Sequence, residues 1–184
     1  MPNDHLPRPR DPELHRFDRG EDVPNNAALP LLVYRGVLDT RAPDPAGRCE
    51  ALFARNRWEG AWRNGIYDYH HYHTTTHEVL GIVRGHAKVR FGGRNGRSIV
   101  LQAGDVVVIP AGVGHKNEGA SPDLLVVGAY PDGRSWDICP AREGEPPCTE
   151  SDIAKAPRPA ADPVYGSQGP LMMHWRAPVA ADPG

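Results

Sequence analysis

Between residues 31 and 130 the chain is cut into short apolar runs by turn-forming residues, and this rhythm limits its fold more than any other feature. The runs are "LLVYRGV" at 31, "GIYDYHHYH" at 65, "EVLGIV" at 78, "AKVRF" at 87, "SIVLQ" at 98, "DVVVIP" at 105 and "DLLVVGAY" at 123. The stretches "RGH", "GGRNG", "QAGD", "PAGVG" and "GASPD" separate them. Strand-length runs at regular spacing, joined by Gly-rich turns, predict an all-β sandwich or barrel. One stretch departs from this pattern. "AGRCEALFARNRW" puts Cys49, Leu52 and Phe53 at i, i+3 and i+4, an apolar stripe that predicts one short helix over 45–57.

Proline marks the limits of the compact part. Of 20 prolines, six lie in the first 30 residues, ten from Pro131 onward and four between. The expected organisation is an N-terminal extension over 1–30, a barrel over 31–130 and a C-terminal segment over 131–184. That segment carries Trp136, Ile138, Tyr165, Leu171, Met172 and Trp175, anchors for packing on its own barrel or a partner's. The final "PVAADPG" is expected to be loose. With 184 residues, one domain is expected.

Charge and cysteine content exclude several classes. Twenty-one basic and 23 acidic residues leave a net charge of −2 with no long run of one sign, so nothing favours nucleic acid or an anionic membrane. Cys49, Cys139 and Cys148 form neither a disulfide framework nor a CxxC zinc pair, and are read as reduced thiols of a cytoplasmic protein. The first 20 residues lack the apolar core of a secretory signal, and no apolar run approaches the ~20 residues that span a bilayer.

The chemistry concentrates in "GIYDYHHYHTTTHEVLG", which holds four of the nine histidines. In a strand, alternate residues share a face. Tyr67, Tyr69, His71 and His73 then lie on one side, with Asp68, His70 and Tyr72 on the other. His71 and His73 form a candidate ligand pair. In the next run Glu78 shares a face with Leu80 and Ile82, whereas His77 lies opposite. Past the turn in "GDVVVIPAGVGHKN", His115 is a further candidate. Imidazoles and a carboxylate suit Mn, Fe, Ni, Co or Zn. Three histidines and one glutamate leave an octahedral ion two open positions. His70 and His77 are read as neighbours of the site at most. The isolated His5, His15, His86 and His174 are read as surface or core residues.

These spacings resemble the cupin superfamily. Its first motif, G-x5-H-x-H-x3–4-E-x6-G, is matched by Gly65, His71, His73, Glu78 and Gly85. Its second, G-x5-P-x-G-x2-H-x3-N, is matched by Gly104, Pro110, Gly112 and His115, but position 119 is Gly and the nearby Asn is Asn117. That departure puts the strand after His115 in doubt rather than the ligands. The resemblance extends to a group of small bacterial single-domain cupins of unassigned function. It implies a double-stranded β-helix, a jelly-roll barrel around a ligand-sized interior, with His71, His73, Glu78 and His115 holding one divalent metal ion per chain.

Cupins with this ligand set include oxygenases, isomerases, decarboxylases and plain binding proteins, so fold and ligands leave the chemistry open. The expectation is a metal-dependent enzyme of oxygenase or isomerase type acting on a small organic molecule. The alternative is a non-catalytic binding or sensor protein. Tyr67, Tyr69, Leu80, Ile82, Val89 and Phe91 are expected to face inward, without a cluster of inward cations. Tyr69, two residues before the first ligand candidate, is the candidate proton donor or substrate contact. A homodimer is expected, with "LPLLVY" and "GPLMMHW" as apolar anchors for exchange between barrels.

Overall fold

The computed structural model describes residues 9–177 apart from 143, 146 and 148, so Cys148 and the stretch 178–184 lie outside the described residues. In chain order the first elements are β1 (Glu13–Phe17), β2 (Asn26–Tyr34), α1 (Pro45–Arg55), β3 (Trp58–Asn64), β4 (His71–Tyr72) and β5 (Glu78–Arg84). Then follow β6 (His86–Phe91), β7 (Arg97–Gln102), β8 (Val106–Ile109), β9 (His115–Ala120), β10 (Leu125–Pro131) and β11 (Cys139–Pro140). Two short helices, α2 (Glu150–Ile153) and α3 (Pro170–His174), lie in the C-terminal segment. The strands form a six-stranded sheet, β1-β2-β8-β5-β10-β3, and a five-stranded sheet, β11-β4-β9-β6-β7, both antiparallel.

Side-chain alternation divides the core into two layers. Leu31 and Val33 of β2, Leu80 and Ile82 of β5, Val89 and Phe91 of β6, and Val107 and Ile109 of β8 fill the space between the sheets. The opposite faces of the same strands present Leu32, Tyr34, Val79, Val83, Val106 and Val108 to a second cluster with Cys49 and Phe53 of α1 and with Leu171 and Trp175. The larger sheet is therefore covered on both sides, so β5 and β8 read as continuous apolar runs rather than alternating ones. Each fully buried side chain such as Phe91 contributes roughly 1.5–3 kcal/mol of transfer free energy. Helix α1 begins at Asp44, whose carboxylate accepts the Gly47 N–H at 3.0 Å, a side-chain N-cap ahead of Pro45. It packs directly on β5, because a Cβ on Gly81 would lie 2.6 Å from Cys49 Sγ.

Three differences from the sequence reading bear on the site. Only His71–Tyr72 of "GIYDYHHYH" is a strand, and 65–70 is irregular backbone. Strands β1, β3 and β11 were not anticipated, and β1 lies inside the stretch read as an extension, where it pairs with β2. After His115 the chain does continue as β9, with its register against β6 shifting between Asn117↔Val89 and Gly119↔Lys88. The shift marks a β-bulge or irregularity just ahead of position 119.

The apolar anchors proposed for exchange between barrels, among them Leu31, Leu32, Leu171 and Trp175, are buried in the chain's own core. No described helix is long and apolar enough to cross a membrane.

Candidate metal centre

Strand β4 is short, but it pairs His71 directly opposite His115 of β9, which brings their rings to 4.0 Å between centroids. His73 follows one residue past β4, its ring 5.6 Å from that of His115. Glu78 opens β5 in the other sheet and points between the sheets with Leu80 and Ile82. The site therefore joins both sheets, with His71 and His115 from strands of one, His73 from the turn just after β4, and a carboxylate from the other. All four residues are buried. One nitrogen from each histidine lies within 4.8 Å of the others. Glu78 Oε2 is 3.1 Å from His73 Nε2 and 3.3 Å from His115 Nε2.

The orientation of the rings is fixed from behind. His71 Nδ1 meets the Tyr69 carbonyl at 3.1 Å, His115 Nδ1 the Val113 carbonyl at 3.1 Å, and His73 Nδ1 the Asp137 carbonyl. A carbonyl only accepts, so each Nδ1 carries the proton and each Nε2 is left to face the cluster. Metal-ligating histidines are typically held in this way.

Protonation fits the same use. Burial, reinforced by repulsion from His115, pushes His71 down to about 3, so it is neutral. Burial opposes the charge on His73, but the Glu78 carboxylate outweighs it and pushes the imidazole up to about 9. Burial alone would raise Glu78, yet His73 and His115 hold its carboxyl well below the usual range. A neutral imidazole, a second paired with a carboxylate and a third facing that carboxylate form a donor set that fits a divalent transition ion.

Above this cluster opens a cavity of about 210 Å³, walled by Trp62, Ile66, Tyr67, Leu80, Tyr130, Trp136 and Ile138, with Arg63, Asn64 and Gly65 at its edge. Tyr130 donates to Glu78 Oε1 at 3.2 Å and accepts from Trp62 Nε1 at 2.9 Å. Burial, and then Glu78, raise the Tyr130 hydroxyl well above the ordinary tyrosine range, so it keeps its proton.

Residues 63–127 match the family model described as a cupin domain. Over 167 residues, 90% of this chain and 98% of the relative, the sequence is 40% identical to the uncharacterized protein YjlB of Bacillus subtilis strain 168. The chain belongs to the cupin family. Solved structures resemble it more distantly. The acireductone dioxygenase of Bacillus anthracis, solved with cadmium in its active centre, is 16% identical, with 54% of this chain and 77% of that one covered and a TM-score of 0.39. The oxalate decarboxylase of Bacillus subtilis, with Mn(II) centres, is 18% identical at a TM-score of 0.37. That match covers 65% of this chain but only 29% of the decarboxylase.

Within this cupin the remaining predicted residues fall as follows. Tyr67 lines the cavity, but Tyr69 is not among its lining residues. Tyr69 is 40% exposed; its ring stacks on Tyr67 at 5.1 Å and lies 5.4 Å from the His71 ring, and its carbonyl stands behind His71. The assumed two-residue alternation fails there because 65–70 is not a strand. His77 faces away from the cluster, as its position opposite Glu78 requires, yet it is not at the surface. It is buried against Trp175 at 4.7 Å, accepts the Ala111 N–H at 2.9 Å and is pushed down to about 3 by burial and then by Arg158. His70 contributes its carbonyl to the Ala141 N–H.

The sequence reading missed Trp62, Trp136, Asp137 and Ile138 as site residues. Two tryptophans in "RWEGAWRNG" beside the histidine run were a usable signal for Trp62. The other three lie between β10 and β11, in a stretch without periodicity.

Proposed function

We propose that this cupin is a metal-dependent enzyme. In this reading His71, His73, Glu78 and His115 hold one divalent transition-metal ion per chain, of the Mn, Fe, Ni, Co or Zn class, and the reaction on a small organic molecule is of oxygenase or isomerase type. Three Nδ1–H groups anchored on backbone carbonyls, with their Nε2 atoms turned to one buried carboxylate, carry this assignment. When bound, such an ion supplies Lewis-acid polarisation at the positions the protein leaves open.

The chain's own residues set what can enter. Aromatic and aliphatic walls exclude water from the body of the ligand and favour an apolar or aromatic one. Among the described lining residues the one arginine or lysine, Arg63, is paired with Glu50 at 2.6 and 2.8 Å. A substrate that needs a second anchored negative charge is therefore disfavoured. Tyr130 holds Glu78 Oε1 and is positioned as a hydrogen-bond donor, not a base.

Elemental analysis of untagged protein is expected to find about one transition ion per chain. The His71→Ala/His73→Ala variant is expected to lose nearly all of it. Equal content in the two proteins overturns the assignment.

One observation favours a non-catalytic binding cupin instead. Besides Glu78, no carboxylate lines the cavity among the described residues, and Tyr130 is locked in its protonated state, so no spare base stands by. A metal-loaded sample whose melting temperature rises with a metabolite that it never converts would decide for this second reading.

A further inference from the structure

We propose that Asp137 is a positioning residue of the metal centre, stapling the chain beyond the barrel to the turn after His73 so that its own carbonyl aims the His73 ring. The inference rests on the metal reading above. The three imidazoles are not held alike. The carbonyls behind His71 and His115 belong to residues two positions earlier in the same local chain, and cannot drift far from them. The carbonyl behind His73 belongs to a residue 64 positions away. Its place depends on whatever fixes residues 135–138 against residues 73–75.

The Asp137 carboxylate does this. Oδ1 accepts the Thr74 N–H at 2.8 Å, the Thr75 N–H at 3.2 Å and the Thr75 hydroxyl at 3.1 Å. Oδ2 accepts the Thr74 hydroxyl at 2.6 Å and the Cys139 thiol at 3.3 Å. The thiol's backbone neighbourhood is in turn tied to the site, since β11 pairs Cys139 with Tyr72 and Pro140 with His71. A half-buried carboxylate thus faces two main-chain N–H groups and three side-chain donors. That geometry fixes the main chain on both sides of the gap.

Trp136, just before Asp137, is set by the same staple. Its ring stacks on Tyr130 at 5.7 Å and stands edge-on to His73 at 6.0 Å, closing one wall of the cavity. A residue outside the barrel strands, and outside both histidine-bearing motifs, thereby acts on a ligand and on a wall together.

The test uses Co²⁺ added to metal-free protein, with affinity read by calorimetry and ligand geometry by the visible absorption of the bound ion. Asp137→Ala is expected to bind Co²⁺ about 10–100-fold more weakly, the usual effect of losing a group that orients a ligand, with an altered visible spectrum. Asp137→Asn, which keeps an acceptor for the Thr74 and Thr75 N–H groups, is expected to recover most of both. Thr74→Val removes the 2.6 Å contact but leaves the main chain intact, and is expected to weaken binding several-fold. It serves as the measurement should the alanine variant not fold.

A general loss of stability is separated by Asp162→Ala, which disturbs a buried carboxylate that bonds Tyr34 and Leu171 of the outer core cluster and does not line the cavity. That variant is expected to melt earlier yet bind Co²⁺ with unchanged affinity and spectrum. If Asp137→Ala binds Co²⁺ like wild type, or if Asp162→Ala weakens it equally, the positioning role is overturned while the metal centre stands. If wild type and His71→Ala/His73→Ala fail alike to bind Co²⁺, the metal reading itself falls.

Discussion

At His73 two opposing effects set one proton. Burial disfavours the imidazolium, while Glu78 at 3.1 Å and the Asp137 carbonyl favour it, and the result is a group pushed up to about 9. The sign follows from that direction. With the folded pKa above the ordinary 6.5, the stabilisation contributed by the His73 imidazolium is fully present below pH 6.5 and fades as pH rises through about 9, while that contributed by Glu78, held below 4.5, is lost in acid. A metal ligand must give this proton up. His71, at about 3, and Glu78, held below the usual range, have none to give at neutral pH. Ion binding near pH 7 should therefore release about one proton from His73, and affinity should climb roughly tenfold per pH unit up to about pH 9. Calorimetric titration in two buffers of different ionisation enthalpy measures the release directly. Glu78→Gln, which removes the carboxylate that holds the proton, should reduce the release at pH 8 well below that of wild type.

At the scale of elements, β10 supports the site from the larger sheet through Tyr130. It runs between β5 and β3, with Gly128 opposite Leu80 on one side and Trp62 on the other. The Trp62 indole lies across Gly128 so closely that a Cβ there would stand 2.1 Å from Trp62 Cζ2. Gly128→Ala must push the indole aside and break its 2.9 Å hydrogen bond to Tyr130, the residue that holds Glu78. A loss of roughly 1–3 kcal/mol by urea denaturation is expected from this overpacking. With Trp62→Ala already made, the same substitution should cost markedly less, a coupling that a double-mutant cycle reads. Elements of this kind were only partly legible in the sequence. Alternation located the interior faces of β5 and β6 because both are real strands, with Glu78, Leu80, Ile82, Val89 and Phe91 buried as expected. It failed over 65–70, where main-chain bonds such as Asn117 N–H to the Tyr67 carbonyl, not strand geometry, decide the path. It also missed β3, an edge strand whose "WEGAWRN" is mostly exposed and shows no clean period. The spacing of His71, His73, Glu78 and His115 was legible because two short motifs carry it; the groups that hold these side chains, Tyr130 and Asp137, and Trp62 behind Tyr130, are brought in by tertiary contact.

For the molecule as a whole, the C-terminal segment is a layer of the fold and not an appendage. Trp58 Nε1 donates to the Ala161 carbonyl at 2.8 Å, Asn56 to the Pro163 carbonyl at 2.7 Å, and Trp175 Nε1 to the Pro30 carbonyl at 2.9 Å. The hub is Asp162, fully buried, which accepts the N–H groups of Val164, Tyr165 and Leu171 at 2.8–3.0 Å and the Tyr34 hydroxyl of β2. These bonds tie the segment's own turn to the outer face of the larger sheet, where His77 and Trp175 meet. Asp162→Ala would leave three N–H groups and a hydroxyl without an acceptor. At roughly 1–3 kcal/mol for each buried group left unsatisfied, and less than additively, a loss of at least about 3 kcal/mol is expected. For a chain of this length that lowers Tm by roughly 6–12 °C. Because the segment and the barrel share one core cluster, the variant should still unfold in a single transition, with tryptophan fluorescence and far-UV circular dichroism coincident. Two separated transitions would show instead that the layer folds independently of the barrel it covers.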